Sequence, residues 1–480
     1  MISQKLAGLQ PEKVFAYFEK LCSIPHGSGN TKLISDYLVA FAREHGLKYI
    51  QDTLNNVIIF APATAGYEDH APVILQGHMD MVCEKDDDCP LDMAVDGLDV
   101  THDGKYVFAK GTTLGGDDGI ALAYALAILD DDSIARPALE IVITVDEETG
   151  MEGATGVDLS MLKGRTLINI DSEDEGIFTV SCAGGARGTI RLPLERRAVY
   201  GPCVKLVVDG LQGGHSGVEI HQNRANASKI MGHLLARVQE LMPLCITGLS
   251  GGSKDNAIPR SCQATLVAMG SHIERINDVC QQLQNEVRQS FQEPQAVIYG
   301  EDVDALGGNA LSTQDSAKVI KLLCQVPNGV QAWSPYIQGL VQTSLNLGVM
   351  TLADDLKLTF SVRSSVNREK RELLARLQAI AQEFGGEYSE MGDYPAWEYR
   401  KDSPLRDTMV TVYKDMFGQE PQVVAIHAGL ECGILSDKLP GLDCVSIGPQ
   451  MHDIHTSRER LDIASTERTW RFLLEVLKAL

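Results

Sequence analysis

Apolar and polar positions along the chain fall into two textures. Before about residue 184, and again after Trp397, short unbroken apolar runs stop abruptly in polar or charged residues. Ile141-Val142-Ile143-Thr144-Val145 is the clearest run. It is rich in β-branched residues, bounded by Pro137 and Gly150, and followed at once by Asp146-Glu147-Glu148. Such a run predicts a strand buried on both faces, as inside a parallel sheet. Asn56-Val57-Ile58-Ile59-Phe60, Val73-Ile74-Leu75-Gln76 and Leu167-Ile168-Asn169-Ile170-Asp171 repeat the pattern. Helical stripes lie between them: Val14, Phe15, Phe18 and Leu21, then Ile34, Tyr37, Leu38 and Phe41. The segment 24–30 is the loop separating these two helices, and 120–129 predicts an apolar helix. Residues 81–110 show no periodicity and predict an irregular, solvated excursion that includes Asp86-Asp87-Asp88.

Between these regions the strands alternate, as in Thr189-Ile190-Arg191-Leu192 and Lys205-Leu206-Val207-Val208. Alternation marks a sheet with one solvated face. Helices are predicted over 224–241, 273–290, 315–324 and 368–384, and strands over 296–299, 339–350 and 355–362. A strand–helix–strand–strand–helix order occurs twice with no residue-level repeat, which reads as an inserted α+β domain with internal duplication. After Trp397 come a helix over 405–417, the runs Val423-Val424-Ala425-Ile426 and Val445-Ser446-Ile447, and a final helix over 466–480. The fold class is therefore α/β with an α+β insertion.

A chain of 480 residues is too long for one core, which fits two or more domains. The net charge of −23 argues against nucleic acid or an anionic membrane surface as partner, since both need a basic face. An acidic protein is instead suited to collecting divalent cations. No apolar run approaches a membrane span and the start of the chain lacks a secretory pattern, so the cytoplasm is expected. The 11 cysteines are scattered and odd in number, with no Cys-x-x-Cys pair, which points away from disulfides and thiolate zinc sites. Cys83 and Cys432, near the motifs below, read as small buried apolar residues.

The candidate chemistry gathers at strand ends, where α/β sheets place their ligand sites. His78 follows one strand, Glu147 and Glu148 another, and Asp171 ends a third. Gly115-Gly116-Asp117-Asp118-Gly119 opens the 120–129 helix, where the dipole favours negative charge. An N-cap role accounts for one of these aspartates more easily than for two. The pattern lacks the glycine and lysine spacing of phosphate loops. Clustered carboxylates repel, and a cation among them relieves that cost. His78-Met79-Asp80 offers an imidazole whose second nitrogen a carboxylate can fix. A late histidine, His452 or His455, adds a further donor. From the residues alone, Asp117 and Asp118, Glu147 and Glu148, and His452 and His455 are equivalent choices.

Taken together, Gly77-His78-Met79-Asp80, Gly115-Gly116-Asp117-Asp118-Gly119, Asp146-Glu147-Glu148-Thr149-Gly150, Asp171 and the late His455-Thr456-Ser457-Arg458-Glu459 resemble the superfamily of di-zinc aminoacylases, carboxypeptidases and dipeptidases. Leu211-Gln212-Gly213-Gly214-His215-Ser216-Gly217 and His427-Ala428-Gly429-Leu430-Glu431-Cys432-Gly433 are similar to its branch of bacterial aminoacyl-histidine dipeptidases. The resemblance spans nearly the whole chain. It implies a catalytic domain over 1–185 and 398–480, built on a mixed, mostly parallel sheet flanked by helices. It also implies an inserted two-layer α+β lid over 186–397, two zinc ions per subunit with manganese or cobalt as substitutes, and a homodimer acting on small dipeptides.

Residue roles follow from the same resemblance. Asp117 would bridge the two ions, with His78 and Asp171 completing one site and Glu148 and His455 the other. Asp80 would orient His78, Glu147 would be the general base, and the Asp117–Asp118 peptide would be cis. In the lid, His215 would support the oxyanion and Asn256 would contact substrate. Arg363, together with backbone near Gly429, would hold the substrate carboxylate. Glu431 would contribute to substrate binding, although a buried or helix-capping acid is the simpler role and the preferred one. His215 and Arg363 likewise have plain alternatives as a turn histidine and a buried salt bridge. The implied activity is hydrolysis of unblocked L-dipeptides of Xaa-His type, such as carnosine. Deacylase or carboxypeptidase activity on the same metals is the alternative reading. A non-catalytic metal-binding scaffold is a third, disfavoured by a spare glutamate, Glu147, beside every proposed ligand.

Overall fold

All six residues of the strand Leu139–Thr144 are buried, as an unbroken apolar run requires. In this computed structural model, which describes residues 5–268, 273–305 and 307–480, that strand pairs antiparallel with Val57–Ala61 and parallel with Val73–His78. It belongs to an eight-stranded sheet in the spatial order Lys48–Gln51, Val57–Ala61, Leu139–Thr144, Val73–His78, Thr166–Asn169, Asp443–Ser446, Ile177–Cys182 and Gln422–Ile426. The central strands from Leu139–Thr144 to Asp443–Ser446 run parallel, with antiparallel strands flanking them. The sheet lies in the first of two compact units, which runs through Ser181 and includes Tyr399–Ala425 and Leu430–Leu480.

Helices cover this sheet. Glu12–Cys22 and Lys32–Glu44 bury the predicted stripes Val14, Phe15, Phe18, Leu21 and Ile34, Leu38, Phe41. Gly116–Leu129 is buried at every position from Asp118 to Leu129, as an all-round apolar helix must be. Its approach to the Val73–His78 strand depends on Gly77. A Cβ there would stand 2.4 Å from Asp118 Oδ2 and 2.6 Å from the Ala121 methyl.

The predicted irregular segment 81–110 contains two strands, Val100–His102 and Tyr106–Ala109. They form a four-stranded sheet with Met451–His452 and Arg460–Asp462. Strands of three or four residues are too short to show alternation, and their partners lie near the far end of the chain. Cys83, expected to be buried, is exposed because it sits in the loop leaving the site, whereas Cys432 is buried.

The second unit comprises Cys182–Glu398 and Ile426–Gly429. Its nine-stranded antiparallel sheet runs Val297–Val303, Cys203–Asp209, Cys262–Ala268, Leu244–Gly251, Val341–Leu352, Asp355–Ser364, Gly184–Pro193 and Glu387–Tyr394, with Gly329–Trp333 beside Val341–Leu352. The repeated element order is thus carried by one continuous sheet, joined at its middle by Ser250 pairing Thr351 and Gly251 pairing Met350. Helices Ala227–Leu241, Ile273–Ser290, Thr313–Gln325 and Asn367–Glu383 share one apolar core with the sheet. The first of them starts at Ala227, three residues later than the pattern predicts, because the Asn226 side chain accepts the N–H groups of Ser228 and Lys229 and caps it. Among the described residues no helix is long and apolar enough to cross a membrane.

Candidate metal centre

Three adjacent parallel strands deliver the first donors. His78 ends Val73–His78, Glu147 and Glu148 open a short helix just past Leu139–Thr144, and Asp171 lies two residues past Thr166–Asn169. The Gly116–Leu129 helix brings Asp117 and Asp118, and the hairpin between Met451–His452 and Arg460–Asp462 brings His455. His78 Nε2 lies 3.1 Å from Asp117 Oδ1 and 3.6 Å from Asp171 Oδ1. His455 Nε2 lies 3.3 Å from Asp117 Oδ2 and 2.8 Å from Glu148 Oε1. Each imidazole nitrogen therefore faces two carboxylates, and Asp117 turns one oxygen to each histidine.

The choices left open by the residues separate in space. Asp118 is fully buried, and its Oδ2 accepts the backbone N–H of His78 at 3.1 Å. One of its oxygens also lies within 4.8 Å of donor atoms of His78 and Asp171. Glu147 and Glu148 both reach within 4.8 Å of His78, but Glu148 is the one that meets His455. His452 instead meets the edge of the Tyr106 ring, with centroids 5.6 Å apart. The Asp117–Asp118 peptide is cis. Asp146 and His455 hold left-handed backbone, with φ of 54° and 58°, a conformation that costs roughly 1–3 kcal/mol for a residue with a side chain. The Gly29 N–H donates to Asp146 Oδ1 at 2.6 Å and helps to hold that turn.

Behind the donors stands a set of buried supports. His78 Nδ1 lies 3.0 Å from the Asp80 carbonyl and 3.4 Å from Asp80 Oδ1, which leaves Nε2 to face the cluster. Asp80 also accepts the Ser28 hydroxyl at 2.8 Å. One level deeper, Glu431 Oε2 accepts Gln76 Nε2 and Thr144 Oγ1, each at 2.6 Å, and Gln76 Oε1 accepts Asn169 Nδ2 at 2.7 Å. This layer laces together the three strands that end in the site. Gln76, Thr144 and Asn169 escaped the sequence reading, although a polar residue inside each apolar run was a visible signal. Glu431 has no exposed surface, and its Oε2 is held by the hydrogen bonds from Gln76 and Thr144.

Burial dominates the electrostatics. It raises the Glu147 carboxyl to about 9, aided by the charges of Asp171, Glu431 and Glu148 and opposed by His78. Burial likewise raises Asp171 to about 6, with His78 opposing and Asp117 and Glu148 assisting. Hydrogen bonds to Asp117 and Glu148 lift His455 to about 10. Crowded carboxylates interleaved with imidazoles form the nitrogen and oxygen donor set that divalent cations take. Among the described residues three donor groups gather within 4.8 Å, His78 with Asp118 and Asp171, His78 with Glu147 and Glu148, and Asp117 with Glu148 and His455, and their chemistry fits divalent cations.

In the second unit, Gly214–His215 pairs with Ala257–Ile258, next to the exposed Asn256. His215 Nδ1 accepts the N–H groups of Gly217 and Val218, each at 3.2 Å. The neutral ring therefore carries its proton on Nε2. Burial and the Arg363 charge lower its pKa and favour that neutral form. Arg363 Nη1 donates to the Tyr394 hydroxyl at 3.1 Å, and its buried Nε has no partner. Among the described residues no carboxylate pairs with Arg363, so a buried salt bridge does not account for it. Gly429 lies against Tyr394 so closely that a Cβ would stand 2.8 Å from the ring.

Residues 74–479 match peptidase family M20/M25/M40. The chain is 36% identical to the cytosol non-specific dipeptidase of Escherichia coli (strain K12), over 99% of both sequences. The crystal structure of an aminoacylhistidine dipeptidase from Vibrio alginolyticus is similar with a TM-score of 0.95 and 34% identity, covering 99% of this chain and 98% of that one. Aminopeptidase PepT from Bacillus cereus shares the fold, with a TM-score of 0.56 and 15% identity over 98% of this chain and 99% of that one.

Proposed function

This chain belongs to peptidase family M20/M25/M40, and on that basis we propose that it is a metal-dependent dipeptidase acting on unblocked L-dipeptides. The observation that carries the reading is the double-facing carboxylate of Asp117, one oxygen toward His78 and the other toward His455. In this reading His78, Asp117 and Asp171 hold one divalent cation, and Asp117, Glu148 and His455 the second. Bound there, divalent cations would supply Lewis-acid polarisation of a carbonyl and a lowered pKa for a coordinated water.

The chain's own groups do the rest. Asp80 keeps the His78 ring in one orientation. Glu147 takes a proton from the attacking water onto its carboxylate and passes it to the leaving amine, a task suited to a carboxyl whose pKa is displaced upward. His215, with its proton on Nε2, donates to the developing oxyanion. Arg363 receives the substrate carboxylate, its fork matching the two oxygens, and Asn256 and the backbone at Gly429 assist it. Residues 1–185 and 398–480 form the catalytic domain in this reading, and 186–397 form the lid that supplies the substrate contacts. Zinc as the resident metal, Xaa-His substrates such as carnosine, and a homodimeric cytoplasmic enzyme complete it.

The test offers the metal-loaded protein β-Ala-His, a tripeptide and an N-acetyl amino acid in parallel. The dipeptide should be cleaved far faster than the other two. Rapid turnover of the acetylated compound without cleavage of the dipeptide would reassign the protein as a deacylase.

A further inference from the structure

We propose that Glu459 is a positioning residue for the metal centre, fixing where Asp117 presents its carboxylate and tying that position to the segment that carries His455. The inference rests on the reading that Asp117 and His455 hold cations.

A helix N-terminus leaves backbone N–H groups without partners. The N-cap of the Gly116–Leu129 helix is Gly115, which has no side chain to satisfy them. Glu459 does so from the far end of the chain. Its Oε2 accepts the N–H of Leu114 at 2.8 Å and of Gly115 at 3.2 Å. Its Oε1 accepts the N–H of Gly116 at 2.8 Å and of Asp117 at 3.4 Å. One carboxylate, only 3% exposed, thus gathers four consecutive amides at the positive end of a helix dipole.

The adjoining sequence is shaped to admit it. A Cβ on Gly116 would stand 3.2 Å from Glu459 Oε1 and 3.0 Å from Met451 Sδ. Gly115 has φ +69°, and a Cβ on it would stand 2.9 Å from Met81 Sδ. Gly116 therefore leaves the space into which Glu459 reaches, and Gly115 leaves room for Met81 on its other side. Asp117 itself has non-helical torsions, φ −86° and ψ 104°, so the helix ladder does not set its backbone. The bond to Glu459 supplies that restraint.

Glu459 also lies four positions after His455 in the same hairpin loop, between Met451–His452 and Arg460–Asp462. While Glu459 grips the start of the helix, His455 Nε2 lies 3.3 Å from Asp117 Oδ2. The loop thus meets the aspartate twice, once at its backbone and once at its carboxylate, so the spacing of two donors from opposite ends of the chain is set by one clamp. All four of the acid's contacts named here are to backbone, which separates its role from that of a group touching substrate.

The experiment compares wild type, Glu459→Gln and Gly116→Ala for cation stoichiometry after dialysis, cation affinity by chelator competition, and kcat and KM for a dipeptide. Glutamine keeps the size but turns an N–H₂ toward two N–H groups. Alanine at 116 crowds the acid while leaving it in place, and serves if the glutamine variant does not fold. Leu126→Ala, a buried change elsewhere on the same helix, controls for loss of stability alone. Both test variants should bind cations about 10- to 100-fold more weakly than wild type, with kcat reduced and KM within a few-fold, while Leu126→Ala keeps wild-type affinity. Folded Glu459→Gln or Gly116→Ala protein with wild-type cation affinity and kcat would overturn the inference, as would an equal loss of affinity in Leu126→Ala. Failure of the wild type to bind paired cations would instead overturn the functional reading and the inference with it.

Discussion

Asp80 Oδ1 accepts the backbone N–H of Glu147 at 3.1 Å. Because the same carboxylate oxygen lies 3.4 Å from His78 Nδ1, one buried acid holds both His78, the proposed metal donor, and Glu147, the proposed proton carrier. Asp80→Asn keeps the volume but weakens both tasks. Cation affinity should fall about 10- to 100-fold and kcat should fall with it, read by chelator competition and steady-state kinetics. Wild-type values for both would detach Asp80 from the centre.

Under the proposed function Glu147 carries the proton and other residues hold the cations. Glu147→Gln should retain two cations per chain and the wild-type circular dichroism spectrum. Its kcat should drop by about 10²- to 10⁴-fold. Metal analysis alongside single-turnover rates checks this, and a variant with undiminished rate would need another proton carrier.

Gly77 is where the Asp118 helix presses on the His78 strand. A methyl group at this position would meet Asp118 Oδ2 at 2.4 Å and the Ala121 methyl at 2.6 Å, both inside the core. Gly77→Ala should therefore cost about 1–3 kcal/mol in urea unfolding of the cation-free protein, as overpacking does. Because Asp118 accepts the His78 N–H, cation affinity should weaken as well. An unchanged unfolding midpoint would mean the helix has room to spare.

Burial raises the Glu431 carboxyl to about 7, with Asp171 assisting and His78, Thr144 and Gln76 opposing. The sign follows from proton counting. The folded acid binds its proton more tightly than the unfolded one, so between about pH 4.5 and 7 the folded state holds the extra proton and loses stability as pH rises. Glu431→Gln keeps an acceptor for Gln76 and Thr144 but cannot ionise. Relative to wild type, the variant should therefore gain stability across that window, by up to about 3 kcal/mol above it. Urea titrations of chelated protein at pH 4.5, 6 and 7.5 measure this, and a pH-independent difference would contradict a strained buried charge.

Ile141, Val142 and Ile143 announce a buried strand, because burial on both faces demands an unbroken apolar run whatever the rest of the chain does. The stripe Val14, Phe15, Phe18, Leu21 announces a helix on equally local grounds, and strand-end acids such as Glu147 and Asp171 mark where a sheet places its chemistry. Strand Tyr106–Ala109 was hidden, since four residues carry no period and its partner Arg460–Asp462 lies near the end of the chain.

Side-chain direction was equally out of reach. Asp117 and Asp118 are adjacent and chemically identical, yet one faces two histidines and the other a backbone amide. Likewise His455 enters the cluster from a left-handed turn, while His452, in a strand, meets Tyr106. Glu459 and Glu431 act on groups hundreds of positions away, a relation that no local pattern records. The chain's pattern thus determined the layers, the buried strands and the kinds of donor available. Which donors meet was decided only by tertiary structure, because backbone torsions and long-range packing choose the direction of each side chain, and neither is written in the residues that flank it.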